Sequence, residues 1–412
     1  VAAASDLGRD SGDHPQLVAA DCLVTLTLPA ADWTRREDLA LLVAALGPGQ
    51  SRYVGGAVRD TLLGIAVKDV DLATPLEPRA VMQQLKSAGI QVVPTGIEHG
   101  TVTAVLPQGP VEITTLRHDV STDGRRATVA FASDWQDDAA RRDFTINALY
   151  ADPATGEIFD WFGGLDDLAA RRVRFIGDPH QRIREDHLRI LRYFRFQARF
   201  GSMPADAPSE SACAELAAML KGLSRERVGM EMMNLLSLTD PAPTVARMAE
   251  LGVLEVVLPE ADVVALAALV AEEVRQRIAP DALRRLAALL PADVQLAEAV
   301  ASRFRLSGAQ KKRLALAAAR EGTEQEARPL AYRLGIDGAL DRLLIAGTDV
   351  AALDGWTIPE FPLKGGEIVA RGIKAGPEVA RVLRRVESGW IAAGFADSLI
   401  PALLDAELSE QA

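Results

Sequence analysis

Two apolar patterns share this chain of 412 residues, and the switch between them constrains the fold more than any single motif. Up to Leu116 the apolar residues come in short β-branched runs punctuated by glycine turns: RYVGG (52–56), KDVDLAT (68–74), QVVPTGIEHGTVTAVL (91–106) and VEITTL (111–116). Two helical stretches interrupt them, REDLALLVAAL (36–46), stopped by Gly47-Pro48-Gly49, and PRAVMQQLKSAG (78–89). Short strands around early helices predict a small α/β sheet. After Asp143 the spacing changes to three and four: FTINALYAD, LDDLAARRV, EDHLRILRYFRFQARF, SACAELAAML and RERVGMEMMNLLSL all read as helical, and Ala/Leu-rich helix continues to the end. The expected fold class is α+β, a small mixed sheet with helices followed by an all-helical body. Between these parts, residues 117–138 are polar with few apolar anchors and read as a mobile loop.

Charge and cysteine content narrow the classes of function. Forty-five Lys and Arg against 57 Asp and Glu leave a net charge of −12, which argues against a chain coated for non-specific duplex binding, so DNA is not an expected partner. Cys22 and Cys213 stand alone, without metal-ligand spacing, as in a reducing, cytoplasmic setting. No run approaches the roughly 18 apolar residues of a membrane span, so no membrane partner is expected. The start has neither the charged n-region nor the apolar run of a secretory signal, and residues 5–16 read as a flexible extension. The last of the five histidines is His187, which excludes a histidine-rich metallohydrolase domain further on.

Three constellations carry chemistry. In the first, Gly55 and Gly56 end a short strand and let backbone approach a polyphosphate, with Arg59 one turn on to reach its oxygens. Asp69 and Asp71, at i and i+2 on an extended segment, point to one side of the sheet and suit Mg²⁺, which takes a few carboxylates plus substrate phosphates. Glu112 completes a three-acid cluster if its strand lies beside theirs, able to hold metal or to accept a hydroxyl proton. An exposed strand face is the other reading of the same residue.

In the second constellation, RRDFTINA, Arg142 is a phosphate clamp, Asp143 an acid to hold it, and Asn147 a donor for a sugar or base edge. A solvated helix start is the alternative. In the third, Asp186, Arg189, Arg192 and Arg195 recur every three residues. One helical strip of three arginines without matching acids predicts an anionic ligand, and Asp186 with Arg189 offers a base edge an acceptor and donors. Further on, Ser224 is a candidate N-cap and Glu231 a candidate partner for one of the strip's arginines. Asp160, Gly164 and Asp166 suit a capped turn. Arg284, Arg285 and Lys311-Lys312-Arg313 are candidate phosphate contacts, each equally a solvated face.

Taken in order, GGAVRDTLLGIAVKDVDLAT, PTGIEHGTVTAVL, EITTLRHD, RRDFTINALY, FDWFGGLDDL, EDHLRILRYFRF and ERVGMEMMNLL resemble the bacterial class II tRNA nucleotidyltransferases and their poly(A) polymerase relatives. The resemblance is strong over about residues 36–260. A weaker echo at SGAQKKRL and FPLKGGEIVARGIKAGPEVARVL has Glu367 where Asp is expected.

The resemblance implies a polymerase-β-like catalytic head over 36–165 after an extension of 1–35, then a helical neck (166–235) for base recognition, a body (236–325) and a tRNA-binding tail (326–412). It implies Mg²⁺ on Asp69 and Asp71, and nucleotide contacts from Gly56, Arg59, Arg142, Arg192 and Arg195. Asp186 and Arg189 would select CTP or ATP. The partners are the tRNA 3′ end, CTP and ATP, and the reaction is template-independent addition of CCA with release of pyrophosphate. A poly(A) polymerase, or an enzyme adding only CC or only A, is the alternative, and PTGIEHGTVTAVL resembles the tRNA enzymes.

Overall fold

A computed structural model describes residues 26–123, 126–131, 134–322 and 326–409. Most of the N-terminal extension, residues 1–25, therefore lies outside the described residues. The chain divides into two units, residues up to Thr115 with Leu149–Asp160, and Leu116–Ala148 with Trp161 onwards.

The first unit is built on a seven-stranded sheet. In chain order its elements are α1 (Glu37–Leu46), β1 (Arg52–Val54), α2 (Gly56–Leu62), β2 (Val70–Thr74), α3 (Pro78–Ser87), β3 (Gln91–Gly96), β4 (Thr101–Leu106) and β5 (Gly109–Thr115). Two further strands, β8 (Tyr150–Ala151) and β9 (Ile158–Phe159), extend it past β1, giving the order β3-β4-β5-β2-β1-β8-β9. Only β2 and β5 pair parallel. Alternation along the strands sends Val70, Leu72, Val102, Ala104, Val111 and Ile113 into a core shared with Leu39 and Leu42 of α1 and Val81 and Leu85 of α3. The opposite residues, Asp71, Thr103, Glu112 and Thr114, form the other face.

FTINALYAD does not become the helix its spacing predicts. Thr145–Asn147 make one 3₁₀ turn, and Tyr150 and Ala151 then pair with Val54 and Tyr53 as a sheet strand. A nine-residue apolar run fits either period, and here pairing with β1 decides.

The second unit opens with a hairpin, β6 (Arg117–Asp123) against β7 (Arg126–Phe131), where the composition predicts a mobile loop. The correction has a plain cause. Arg117–Asp123 and Arg126–Phe131 pair through main-chain bonds, which need no apolar anchors.

Helices follow: α4 (Trp135–Ala140), α5 (Gly164–Ala169), α6 (Pro179–Glu185), α7 (Arg189–Phe200), α8 (Ala207–Glu215), α9 (Arg225–Leu236), α10 (Ala242–Glu250), α11 (Val253–Val257) and α12 (Val263–Gln276). The remainder is α13 (Ala282–Leu289), α14 (Val294–Arg303), α15 (Gly308–Ala319), α16 (Ala327–Leu334), α17 (Ile336–Ile345), α18 (Gly365–Ala370), α19 (Pro377–Ala392) and α20 (Ile400–Ser409). An aromatic cluster of Phe144, Phe175, Tyr193 and Phe196 anchors α7, and the last three helices close around Trp390, which is fully buried. Among the described residues no helix is long and apolar enough to cross a membrane.

Candidate active site

The acids of the first constellation lie on the open face of the sheet. Asp71 sits in β2, directly opposite Glu112 in the parallel neighbour β5, so the two Cα atoms are register partners. Asp69 precedes β2 by one residue and shares the parity of Asp71. Asp69 and Glu112 are exposed and Asp71 is half-buried. The condition on Glu112, that its strand lie beside that of the two aspartates, is met. Among the described residues, however, no three His, Cys, Asp or Glu side chains come close enough to hold a metal by themselves. Solvent-facing carboxylates of this kind fit an ion that takes a few protein oxygens and completes its shell with water and phosphate.

The glycine turn is shaped by backbone conformation. Gly55 has φ +68 and ψ −121, a region closed to side chains, and its N–H donates to Leu149 O at 3.0 Å. A Cβ on Gly56 would meet only ordinary contact, 3.6 Å from Arg59 Nη2. Arg59 itself is buried in α2 and donates to Asp60 Oδ1 from Nε at 2.8 Å, with Nη2 at 2.7 Å from the same oxygen.

In the second unit each charged side chain of interest has a partner. Asp143, 9% exposed, accepts from the Phe144 amide and Asn147 Nδ2, both at 2.9 Å, and from Arg192 Nε and Nη2 at 2.8 and 2.6 Å. Burial works against its charge, but Arg192 beside it and these bonds prevail and hold its carboxyl below the usual carboxylate range. Against its own burial, Asp143 holds the Arg192 guanidinium above its ordinary value. Asp143, expected beside Arg142, serves Arg192. Arg142 is instead paired with Asp138, at 3.3 Å, as is Arg141 at 2.7 Å.

The strip of three arginines is real, since Arg189, Arg192 and Arg195 all lie on α7, but Asp186 is not on that helix. It occupies the extended break after α6, with φ −152. Nor are the arginines without acids. Arg189 pairs with Glu185 at 2.5 Å and donates to the carbonyls of Arg182 and Arg141, Arg192 pairs with Asp143, and Arg195 pairs with Glu231 at 2.6 Å. The strip is therefore compensated, and its charge alone does not call for an anionic ligand. Two of the three acids lie far from the strip in sequence.

Glu231 performs the predicted pairing from α9. A residue the sequence reading passed over, Arg227 one turn earlier on the same helix, holds Asp186 Oδ2 at 2.6 Å. Its signal was the i,i+4 spacing of Arg227 and Glu231, which puts an opposite pair on the face turned to α7.

Other expectations shift by a residue or fail. Ser224 stands at the N-cap of α9 without a side-chain cap bond. The structural acid of FDWFGGLDDL is Asp167, fully buried and bound by Thr145 Oγ1, Arg172 and Arg174, while Gly163 at φ +73 caps α5. Arg284 and Arg285 are buried on Glu273, which excludes them as surface phosphate contacts, and the partly exposed Arg313 is paired with Asp341 and Asp281. Lys312 stays exposed. Glu367, in place of the expected Asp, accepts from the Lys364 amide at 3.1 Å at the start of α18.

A small mixed sheet carrying strand-borne acids, followed by helices, is the architecture of a nucleotidyltransferase. Residues 51–174 match the Poly A polymerase head domain family, and 206–264 match the family described as a probable RNA and SrmB-binding site of polymerase A. The mouse mitochondrial CCA tRNA nucleotidyltransferase 1 is 35% identical over 84% of this chain and 83% of its own length. The human protein is 48% identical over 45% of this chain and 43% of its own, and an Enterococcus faecalis CCA-adding enzyme is 39% identical over 45% of each. A Bacillus stearothermophilus CCA-adding enzyme, solved with CTP, superposes over 90% of this chain and 98% of its own, with TM-score 0.67 and 25% identity. The chain belongs to the CCA tRNA nucleotidyltransferase family.

Proposed function

We propose that this chain adds C, C and A in turn to the 3′ end of tRNA from CTP and ATP, releasing pyrophosphate, with Asp69, Asp71 and Glu112 at the chemical step. The observation that carries the site is the register of Asp71 with Glu112 on adjacent parallel strands, with Asp69 on the same face. In this reading Asp69 and Asp71 hold Mg²⁺, which when bound stabilises the charge developing on the transferred phosphate and the leaving pyrophosphate. Glu112 receives the proton of the attacking 3′-hydroxyl. The Gly55-Gly56 turn and Arg59 bind the triphosphate, and Arg142 is a further nucleotide contact in this reading.

Base selection belongs to the second unit. Asp186 and Arg189 supply the acceptor and donors that a cytosine or adenine edge needs, while Asp143, Asn147, Arg192 and Arg195 complete the nucleotide contacts. Supporting this are the ion pairs at Arg227 and Glu231, which hold Asp186 and Arg195 in fixed rotamers. Head, neck, body and tail at 36–165, 166–235, 236–325 and 326–412 remain our division by role, with the tail for tRNA. Cytoplasmic action goes with this reading, and Cys213 is a buried free thiol.

The test is incorporation by the purified protein on tRNA ending before, within and after CC, with each nucleotide offered separately. CMP addition to the first two substrates and AMP only after CC is the expected pattern. ATP tails on unrelated RNA would replace it with a poly(A) polymerase.

A further inference from the structure

Three arginines of the second unit, of which Arg285 and Arg342 are buried and Arg320 half-buried, link helices by donating to the carbonyl ends of their neighbours. Arg342 of α17 donates to Leu316 O at 2.6 Å and Glu321 O at 2.5 Å, at the end of α15. Arg320, the C-cap of α15, donates to Ala287 O at 2.8 Å and Leu290 O at 2.5 Å, at the end of α13. Arg285 of α13 donates to Leu236 O at 2.8 Å, to Leu238 O and to Thr239 O at 2.9 Å, at the end of α9. The last carbonyls of a helix have no partner within it and carry its negative pole, so a guanidinium there satisfies acceptors and opposes the dipole.

The Arg285 link differs from the others in what its capped helix carries. Helix α9 bears Glu231, which holds Arg195 at 2.6 Å and lies 3.7 Å from Arg192, and Arg227, which holds Asp186. Arg285 is 1% exposed, and its Nε is bound at 2.8 Å by Glu273, itself 1% exposed and shared with Arg284. With four partners and no solvent around it, this side chain has one rotamer, and it fixes α9 along its axis. A shift of α9 would move Glu231 and Arg227 together, and with them the side chains assigned above to the nucleotide.

We propose that Arg285 is a positioning residue for nucleotide selection, acting through α9 on Arg195, Arg192 and Asp186. The proposal rests on the reading of those three residues as nucleotide contacts. Arg→Lys keeps the charge but loses the planar fork that spans three carbonyls and Glu273.

The experiment compares full-length Arg285→Lys with Arg342→Gln, which removes a cap of the same kind from α15, a helix that carries neither those contacts nor Arg285. Steady-state KM and kcat for CTP and ATP, KM for tRNA, and the ratio of CMP to UMP incorporation are measured beside the melting temperature. For Arg285→Lys, KM for CTP and ATP is expected to rise about ten-fold and the CMP to UMP ratio to fall several-fold, with KM for tRNA within about two-fold of wild type. Arg342→Gln is expected to lower the melting temperature and leave the ratio unchanged.

Unaltered discrimination in Arg285→Lys, or an equal loss in Arg342→Gln, overturns the proposal. Should Arg285→Lys not fold, hydrogen exchange on the wild-type chain decides: CTP with tRNA is expected to slow exchange at 236–240, and protection at 189–195 without it there is the contrary result. An Arg195→Lys variant that selects nucleotides normally would instead remove the nucleotide reading itself, and the proposal with it.

Discussion

The sheet of the first unit and the helices of the second treat their charges in opposite ways. On the sheet, Asp69 and Glu112 face solvent, and no set of three ligands closes a cage among the described residues. Around α7 in the second unit four charges find partners: Arg189 with Glu185, Arg192 with Asp143, Arg195 with Glu231, Asp186 with Arg227. Carboxylates left in water are ready for a cation that arrives with its substrate. Arginines locked to acids are already oriented, so a ligand meets fixed donors without the cost of ordering them. In the proposed function, chemistry and base selection would thus differ in the state of their charges as well as in position in the chain.

The largest effect that would break this contrast is expected at Asp71. Asp71→Ala should reduce CMP and AMP incorporation alike by about 10³-fold or more while leaving the melting temperature close to wild type, since a half-buried strand acid carries chemistry and little packing. Rates and melting curves on the same preparation check both halves.

Next in size is Asp143→Asn. It leaves Arg192 without its main counter-ion in a largely buried place, and a loss of about 3 kcal/mol in denaturant unfolding is expected. The pH dependence has a definite sign. The folded carboxyl titrates below its ordinary value, so its stabilisation is present above the unfolded pKa of about 3.9 and disappears as pH falls through the lower folded value. Acid unfolding of the wild type should therefore steepen below about pH 4, and the variant should lack that component.

Smaller again is Gly55→Ala, where φ +68 with ψ −121 forces a side chain into a disfavoured region, and about 1–3 kcal/mol of stability should be lost. The smallest expected effect is at Arg227→Lys. It keeps a charge beside Asp186, so stability should change by about 0.5 kcal/mol or less while the CTP to ATP preference moves. Unfolding titrations and paired nucleotide kinetics measure these two.

How far the sequence is legible follows the same division. Strands β1 to β5, α1, α3 and the adjacency of Asp71 and Glu112 follow from local periodicity and one conditional step, because neighbouring strands in a small sheet leave few arrangements. The charge partners of α7 do not. Asp143 lies 49 residues from Arg192, Glu231 36 from Arg195 and Arg227 41 from Asp186, so a strip read on its own helix looks uncompensated. FTINALYAD misleads because a short apolar run carries no unique period, and 117–138 because a hairpin held by main-chain bonds leaves little trace in composition. Arg284 and Arg285 look like surface cations until Glu273, on a different helix, is seen beneath them.

The separation of chemistry from reading is tested most directly by single-turnover incorporation of CMP and AMP, each on its proper tRNA, by Asp71→Asn and by Arg195→Lys. The expected result is that Asp71→Asn lowers both rates by the same factor, while Arg195→Lys retains turnover and changes their ratio. A changed ratio in Asp71→Asn, or an equal loss of both rates in Arg195→Lys, would contradict it.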